Sequence, residues 1–305
     1  FPTHVKLSQP EGTCIDTLIV NGVECEPYLT TDHRVMLEQQ GDLLTGIRYL
    51  LRLTGARRVL IGIEANKVDV IERLRARPAD DLPLSVETLA VKYPQGAEKL
   101  LIAALLQRQV PSAGLPADVG VVTINVATAA EIGRLLPSGR GIQERVVTIG
   151  GPGIRHQGNY LIPIGTPLRF ALEQAGMTDD VSKVFLGGPM MGQALPSLDV
   201  PVTKGTSGFI AFTDKPASNA TTPYPCIHCG YCLEACPMFL NPAQLGALAR
   251  KGEYQRMAHD HHLMDCFECG ACAYVCPAHI PLVQRFRGAK AMLGRRRAAT
   301  EGPAA

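Results

Sequence analysis

The sequence has no tryptophan, few aromatic residues (5%) and almost no excess of either charge. Its 30 Lys and Arg residues against 28 Asp and Glu residues give a formal net charge of +2, so no overall basic field is available to hold a nucleic acid. The longest apolar run, 100–106, is seven residues, whereas a membrane span needs about 18–20. The sequence therefore argues against nucleic-acid binding and against a direct membrane span.

The sequence also lacks an N-terminal Met and a signal-peptide pattern, because it begins Phe1-Pro2-Thr3. This start indicates a piece of a longer polypeptide. Hydrophobic residues make up 46% of the chain and charged residues 19%, which favours folded domains over disorder. A length of 305 residues fits two or three domains of ordinary size.

Eight of the ten cysteines lie in two arrays with the same spacing, C-x2-C-x2-C-x3-C-P. This spacing is typical of bacterial two-cluster ferredoxins. Three thiolates at two-residue gaps can wrap one cuboidal cluster, while the fourth, at the start of a following helix, reaches the other cluster. The arrays therefore predict two [4Fe–4S] clusters with crossed ligands, one held by Cys226, Cys229, Cys232 and Cys276 and the other by Cys266, Cys269, Cys272 and Cys236.

Other interpretations of the cysteines fit less well. Disulfides need an oxidising compartment and a small, core-poor chain, and zinc sites usually show two separated C-x2-C pairs. The run from His259 to His262 resembles a metal site, but a solvated helix end is the simpler interpretation. His228 and His279 are expected either to tune a cluster by hydrogen bonding or to lie at the surface. Cys14 is expected to be a small buried residue.

The first 142 residues show the alternation of a βαβ fold. Short β-branched runs at 17–21, 58–64, 84–91 and 119–126 are separated by helical patterns at 32–53, 66–77 and 97–107. Such alternation predicts an α/β domain with a mostly parallel sheet. The G-x-G-x-x-G signature of an ordinary dinucleotide site is absent after the first strand.

Two further domains are predicted after residue 142. Short glycine-bounded strands with one helix, at 167–175, indicate a small β-grasp-like α+β domain over 143–212. A Pro- and Ser-rich linker at 213–225 leads to an α-helical two-[4Fe–4S] ferredoxin domain over 226–305, which ends in a basic tail. Gly187-Gly188-Pro189 lacks the spacing of a P-loop and is expected to form a turn.

Four segments resemble, in order, the flavin and NADH motifs of the RnfC family. They are Phe1-Pro2-Thr3-His4-Val5-Lys6, Asn21-Gly22-Val23-Glu24-Cys25-Glu26-Pro27-Tyr28, Lys92-Tyr93-Pro94-Gln95-Gly96-Ala97-Glu98-Lys99 and Asn125-Val126-Ala127-Thr128. RnfC proteins belong to Rnf (Rsx) ion-translocating electron-transport complexes and are related to the NADH-oxidising flavoprotein subunit of respiratory complex I. The resemblance covers essentially the whole chain. It implies that 1–142 is a nucleotide- and flavin-binding (FMN/NADH) domain and that 143–212 is an SLBB-like domain.

The resemblance also implies roles for individual residues. It places Lys6 near the flavin phosphate or ribityl chain, Asn21, Glu24 and Cys25 along the flavin edge, and Asn125 at the polar rim of the ring. Towards NADH it places Phe1, Glu26, Tyr93, Gly96 and Glu98. Val23 and Ala97 depart from the complex I pattern, which has acidic residues there. The glycine-rich loop that precedes Phe1 in the family is not in this sequence, so the FMN site is expected to be incomplete, and whether this chain holds FMN is left open.

The function implied by the resemblance is that of a peripheral electron-transfer subunit in an ion-translocating NADH:ferredoxin oxidoreductase, a translocase-type oxidoreductase. Electrons would pass between NADH, FMN and the two clusters. The implied partners are membrane-embedded and iron–sulfur subunits of the Rnf complex, with ferredoxin reached indirectly. The implied location is the cytoplasmic side of the bacterial inner membrane.

Three other functions stay open at this point. One is a cobalamin reductase of the PduS type, which resembles RnfC in its flavin motifs and paired clusters. Another is a flavin-free polyferredoxin wire in which the α/β domain serves only as a docking module. The third is an assembly scaffold whose β-grasp domain binds a soluble ligand.

Overall fold

The computed structural model describes residues 2–8, 12–77, 81–213 and 222–301. The chain divides into two compact units, Phe1–Ser218 and Asn219–Ala305, each with its own hydrophobic core. Phe1 and most of the predicted linker, residues 214–221, lie outside the described residues, as do residues 302–305 of the basic tail. Within the described ranges, none of the helices combines the length and the apolar character needed to cross a bilayer.

A four-stranded parallel sheet forms the centre of the first part of the chain, as predicted. Its strands, in the spatial order β3-β2-β1-β4, are β1 Thr17–Gly22, β2 Arg58–Glu64, β3 Leu84–Leu89 and β4 Val121–Asn125. Strands β1, β2 and β4 are buried on both faces, which is why their sequences are nearly continuous aliphatic runs. Strand β3 lies at one edge and is only partly buried.

Six helices accompany this sheet: α1 Thr3–Leu7, α2 Thr31–Glu38, α3 Gln40–Thr54, α4 Val68–Arg75, α5 Glu98–Leu106 and α6 Val126–Leu135. Helices α2, α3, α4 and α6 share one core with the sheet, whereas α5 packs against the other face. The prediction of one helix over 32–53 is wrong, because the backbone at Gln39 leaves the helical region (φ −113°, ψ 32°) and separates α2 from α3. Cys14 is exposed rather than buried, because it lies in the connection before β1 and no helix covers it.

A mixed five-stranded sheet follows in the same unit. Its strands, in the order β6-β5-β9-β7-β8, are β5 Glu144–Gly150, β6 Gly158–Pro163, β7 Val181–Leu186, β8 Gln193–Ala194 and β9 Gly208–Thr213. Strands β5 and β9 are parallel and the other pairs are antiparallel. Helix α7, Leu168–Gln174, packs on this sheet around Val147, Leu172 and Phe209. This is the small α+β architecture that the sequence predicts.

Buried hydroxyl groups connect the start of α2 to the second sheet. The Thr30 N–H donates to Thr148 Oγ1 at 3.2 Å, and the hydroxyls of Thr31 and Thr148 lie 2.8 Å apart. Thr31 Oγ1 also donates to the Ser207 carbonyl at 2.8 Å, and Asn159 Nδ2 donates to Thr30 Oγ1 at 2.9 Å. These bonds fix the position of the α2 N-terminus, where side chains of the candidate site meet.

The second unit is helical. Its helices are α8 Tyr231–Glu234, α9 Pro242–Lys251, α10 Tyr254–His259, α11 Ala271–Tyr274 and α12 Leu282–Glu301. Leu245, Met257, Leu263 and Phe286 form its core. The predicted helix over 253–263 is shorter than expected, because α10 ends at His259. The two cysteine arrays carry the same four-residue helix, α8 and α11, between their second and fourth cysteines.

Candidate functional site

Asn21 and Asn125 lie side by side at the carboxyl edge of the parallel sheet, because the β1–β4 register pairs these two residues. Asn21 Nδ2 donates to the Gly96 carbonyl at 2.9 Å, and its Oδ1 accepts from the Val23 N–H at 3.0 Å. Open α/β sheets bind their ligands outside the carboxyl ends of the strands. Two residues that the resemblance assigns to the flavin therefore meet where a ligand is expected.

Asn125 joins β4 to the N-terminus of α2. Its Oδ1 caps α6 by accepting from the Ala127 N–H at 2.9 Å. Its Nδ2 donates to Asp32 Oδ2 at 2.7 Å. Both ends of the amide are thus engaged, which fixes its orientation. Asp32 was not among the predicted site residues.

Glu24 caps α2 from the loop after β1. Its Oε1 accepts from the Asp32 N–H at 2.9 Å and its Oε2 from the His33 N–H at 3.3 Å. Burial raises the pKa of Glu24 to about 7, and the neighbouring Asp32 charge contributes to the rise. Burial also raises the pKa of Asp32, against the hydrogen bond from Asn125 and the charge of Arg145. The two carboxyl groups form a coupled pair that resists full ionisation near neutral pH.

Gly96 brings the β3–α5 connection against the loop after β1. A Cβ at this position would lie 2.6 Å from the Val23 carbonyl oxygen, so the close approach requires glycine. The Gly96 N–H donates to the thiol of the half-buried Cys25, whose pKa is raised by burial. Tyr93 is half-buried three residues earlier. The structure thus places Asn21, Cys25 and Gly96 together.

Glu26 contacts the second sheet domain. Its Oε1 accepts from the Met191 N–H at 2.6 Å and its Oε2 from the Met190 N–H at 3.2 Å. These donors belong to the β7–β8 connection, where the predicted Gly187–Pro189 turn is present and Gly187 has φ 90°. Burial raises the pKa of Glu26. The Glu26 carboxylate therefore links the two domains of the first unit, a role that the resemblance did not indicate.

Lys6 and Glu98 form an ion pair, with 2.6 Å between Nζ and Oε1. Lys6 Nζ also donates to the Thr123 carbonyl in β4 at 3.1 Å. Glu98 is the first residue of α5. The residue predicted at the flavin phosphate and one predicted near NADH are therefore in direct contact, while Phe1 lies outside the described residues.

Glu64 and Thr123 complete this edge, and the sequence reasoning did not single out either of them. Glu64 ends β2 and is 3% exposed, its carboxylate accepts from the Glu24 N–H, and burial raises its pKa while Lys67 opposes the rise. Thr123 is 4% exposed, and its hydroxyl has no hydrogen-bond partner in the described part of the chain. The end of a buried strand was the available signal for Glu64. The sequence offers no comparable signal for Thr123.

The residues at this edge fit a flavin nucleotide. They offer a cation at Lys6, fixed amide groups at Asn21 and Asn125, a glycine at close approach and a buried hydroxyl without a partner among the described residues. These are the kinds of groups that bind the polar rim and the phosphate-bearing chain of such a cofactor.

The cysteine thiols of the second unit form two groups. Burial raises the pKa of Cys232, and the charges of Cys276, Cys226 and Cys229 raise it further. Burial raises the pKa of Cys272 to about 12, with further contributions, in decreasing order, from Cys266, Cys269, Cys236 and Cys232. Apart from the last contribution, these neighbours are the ligand sets of the crossed arrangement. The crossed ligation stays a prediction, and this grouping supports it.

The two arrays adopt matching backbone conformations. Gly230 and Gly270 have φ 84° and 85°, and His228 and Glu268 have φ 54° and 64°. In the second array, this geometry directs the Glu268 N–H to the Cys266 sulfur and the Ala271 N–H to the Cys269 sulfur. Backbone N–H groups that converge on sulfur favour its negative charge. The loops therefore suit thiolate ligands of an iron–sulfur cluster.

A cavity between α9 and α12 separates the two arrays in character. Its lining includes the four thiols Cys236, Cys266, Cys269 and Cys272 together with apolar side chains such as Leu245, Val283 and Phe286. In the first array, Cys226 and Cys229 are exposed. Four sulfurs around an apolar cavity fit a cuboidal cluster, which is bound through four separate iron atoms. In the part of the chain that the structure describes, no three His, Cys, Asp or Glu side chains gather as a metal-ion site.

Charged residues of α12 hold the second array. Arg287 Nε donates to Glu268 Oε2 at 2.9 Å, Lys290 Nζ lies 3.1 Å from Glu268 Oε1, and Lys290 also donates to the Cys266 carbonyl. The equivalent of Glu268 in the first array is His228, which is exposed, as is His279. Around the end of α10, His259 and His262 are exposed as well.

Three family models match the chain. The Nuo51 FMN-binding domain matches residues 1–134, the SLBB domain 146–194 and the 4Fe-4S dicluster domain 223–280. A chain in the crystal structure of an NAD+-reducing [NiFe]-hydrogenase in the H2-reduced state aligns with a TM-score of 0.63 and 17% identity, covering 100% of this chain and 64% of that one. This alignment supports the fold.

Fold and matches together define an electron-transfer flavoprotein of the Nuo51 class, with an SLBB domain and a dicluster domain. The RnfC-type component of a proton-translocating ferredoxin:NAD(+) oxidoreductase complex from Clostridium ljungdahlii is 42% identical over 87% of this chain and 58% of its own length. The counterpart in a Na(+)-translocating complex from Acetobacterium woodii is 42% identical over 95% of this chain and 65% of its own. The counterpart in an ion-translocating oxidoreductase complex from Salmonella choleraesuis is 44% identical over 95% of this chain and 41% of its own.

The chain belongs to the RnfC/RsxC family. It spans 41–65% of the length of these three relatives.

Proposed function

We propose that this chain is part of the peripheral electron-transfer subunit of an ion-translocating NADH:ferredoxin oxidoreductase of the Rnf type. It would pass electrons between NADH, FMN and two [4Fe–4S] clusters, to or from partner subunits. The observation that carries this proposal is the presence of an FMN-binding domain and a dicluster domain in one chain that is 42–44% identical to the relatives named above.

FMN, when bound, exchanges electron pairs with a nicotinamide and single electrons with an iron–sulfur cluster. The chain supplies binding and orientation. Asn21 and Asn125 would hold the flavin edge with amides that protein hydrogen bonds already orient. Lys6 would supply positive charge, and Glu98 would bind the nicotinamide side. The eight array cysteines would hold the clusters, and backbone N–H groups at their sulfurs would favour the thiolate form.

The proposal includes a place in the cell and a set of partners. The protein would lie on the cytoplasmic side of the bacterial inner membrane and contact membrane-embedded and iron–sulfur subunits of the complex, with ferredoxin as the distant electron donor or acceptor. The names of the relatives, which describe subunits of multi-subunit complexes, support this assignment.

The experiment uses the full-length polypeptide, purified without oxygen. We expect bound FMN, about eight iron atoms per chain, and bleaching of the cluster absorbance when NADH is added. A Cys269→Ser variant is the matched control, because it should lose iron while keeping FMN. The absence of both FMN and NADH-dependent bleaching would end the proposal. Efficient reduction of cob(II)alamin by NADH would instead favour a cobalamin reductase.

A further inference from the structure

The Thr123 hydroxyl is a buried polar group with no hydrogen-bond partner among the described residues. The residue is 4% exposed. A buried hydroxyl that is not satisfied costs folding free energy, and valine, which has nearly the same shape, would avoid this cost. Sites where a sequence keeps such a costly group are frequently functional sites.

The position of Thr123 relates it to the candidate flavin site. Alternation along β4 places Thr123 on the same face of the sheet as Asn125, two residues nearer the start of the strand. The register pairs it with Ile19, and Asn21 is the corresponding residue beside Asn125. This face is the one covered by α5, because Ile19 and Val121 share a core with helix residues there.

Lys6 provides a second link between Thr123 and the site. Its Nζ donates to the carbonyl oxygen of Thr123 at 3.1 Å while it pairs with Glu98. The cation that the resemblance assigns to the flavin thus reaches the level of Thr123 in the sheet. A cofactor that contacts both Lys6 and Asn125 would pass within reach of the hydroxyl between them.

We propose that the Thr123 hydroxyl forms a hydrogen bond with a polar atom of bound flavin nucleotide. The proposal rests on the proposed function, since it requires that FMN binds at this edge. The hydroxyl is able to donate or accept, which suits either a ring carbonyl or a ribityl hydroxyl. Thr123 would therefore be a binding residue beyond those that the family motifs indicate.

The test compares Thr123→Val with Thr123→Ser in the full-length polypeptide, after removal of FMN. Titration with FMN, followed by the quenching of its fluorescence, should show about five-fold weaker binding for the valine variant, the usual effect of losing one neutral hydrogen bond. The serine variant, which keeps the hydroxyl, should bind within about two-fold of wild type.

A second readout measures the stability of the FMN-free protein. Thr123→Val should raise its urea midpoint, because an unsatisfied hydroxyl is removed. Thr148→Val is the matched control and should lower the midpoint, since the Thr148 hydroxyl is bonded to Thr31 and Asn159. A lower midpoint for Thr123→Val would show that the hydroxyl already has a partner, such as a buried water, and would overturn the proposal.

The outcomes separate this proposal from the proposed function. If wild type binds FMN and Thr123→Val binds it equally well, the Thr123 proposal fails while the proposed function stands. If wild type binds no FMN, both fail. Weaker FMN binding together with a raised urea midpoint in the valine variant would support the proposal, because a merely structural role would not move the two in these directions.

Discussion

Replacing Glu24 by Gln should change how stability depends on pH. Burial raises the pKa of Glu24 from 4.5 to about 7 in the folded chain. Between these values the folded state binds more protons than the unfolded state, so the free energy of unfolding falls as the pH rises through this range. For Glu24 the fall amounts to about 3 kcal/mol, since one unit of pKa corresponds to ~1.36 kcal/mol.

Glutamine removes this pH dependence but weakens the cap on α2. Its one carbonyl oxygen replaces two carboxylate oxygens that accept from Asp32 and His33. The lost cap bond costs about 1 kcal/mol. Glu24→Gln should thus be about 1 kcal/mol less stable than wild type near pH ~4.5 and about 2 kcal/mol more stable near pH ~8, with the two curves crossing slightly above pH ~5.

Pulse proteolysis in urea measures this effect in the full-length polypeptide, with peptides from β1 and α6 identified by mass spectrometry. Burial also raises the pKa of Glu26 and Glu64, but both groups are present in wild type and variant, so the difference between the curves isolates Glu24. The control is Glu173→Gln, which changes an exposed carboxyl on α7 and should leave the curve in place. Parallel curves for Glu24→Gln and wild type from pH ~4.5 to ~8 would refute the reasoning.

Three further outcomes follow from the site. Cys236→Ser should lose about half of the iron, with the remaining cluster signal that of the first array, and loss of the first-array cluster instead would contradict the crossed ligation. Glu98→Gln should weaken NADH oxidation at unchanged iron content, whereas an equal loss of iron would indicate misfolding. Gly96→Ala should lower FMN affinity at least ten-fold, because its Cβ would approach the Val23 carbonyl to 2.6 Å, and FMN titration with Gly139→Ala as control checks this.

The strands of the parallel sheet were predictable because they are buried on both faces. Strand β2 begins and ends at the predicted residues, 58 and 64. Helix α6 was missed because it begins directly after β4, so strand and helix form one uninterrupted apolar run. Asn125 serves both as the end of the strand and as the helix cap. The separation of α2 from α3 was missed because the helical pattern continues through Gln39 while the backbone does not.

The same distinction applies to the candidate site. Asn21 and Asn125 could be found because strand ends and sequence motifs mark them. The partners of these residues could not, since Asp32 bonds to Asn125 across 93 positions and Lys6 reaches Thr123 across 117. Such pairings depend on the order of the strands, which the sequence pattern leaves open. The eight cysteines needed no tertiary information, because their spacing alone indicates the cluster type.

The edge of the sheet is organised before any ligand binds. Protein hydrogen bonds orient Asn21 and Asn125, and backbone N–H groups hold the carboxylates of Glu24 and Glu26. A cofactor that binds here does not have to order these side chains, so less of its binding energy is offset by lost side-chain entropy. Thr123 differs from them because its hydroxyl has no partner in the described part of the chain. A preorganised site with one unsatisfied donor is the arrangement expected where a ligand completes the hydrogen bonding.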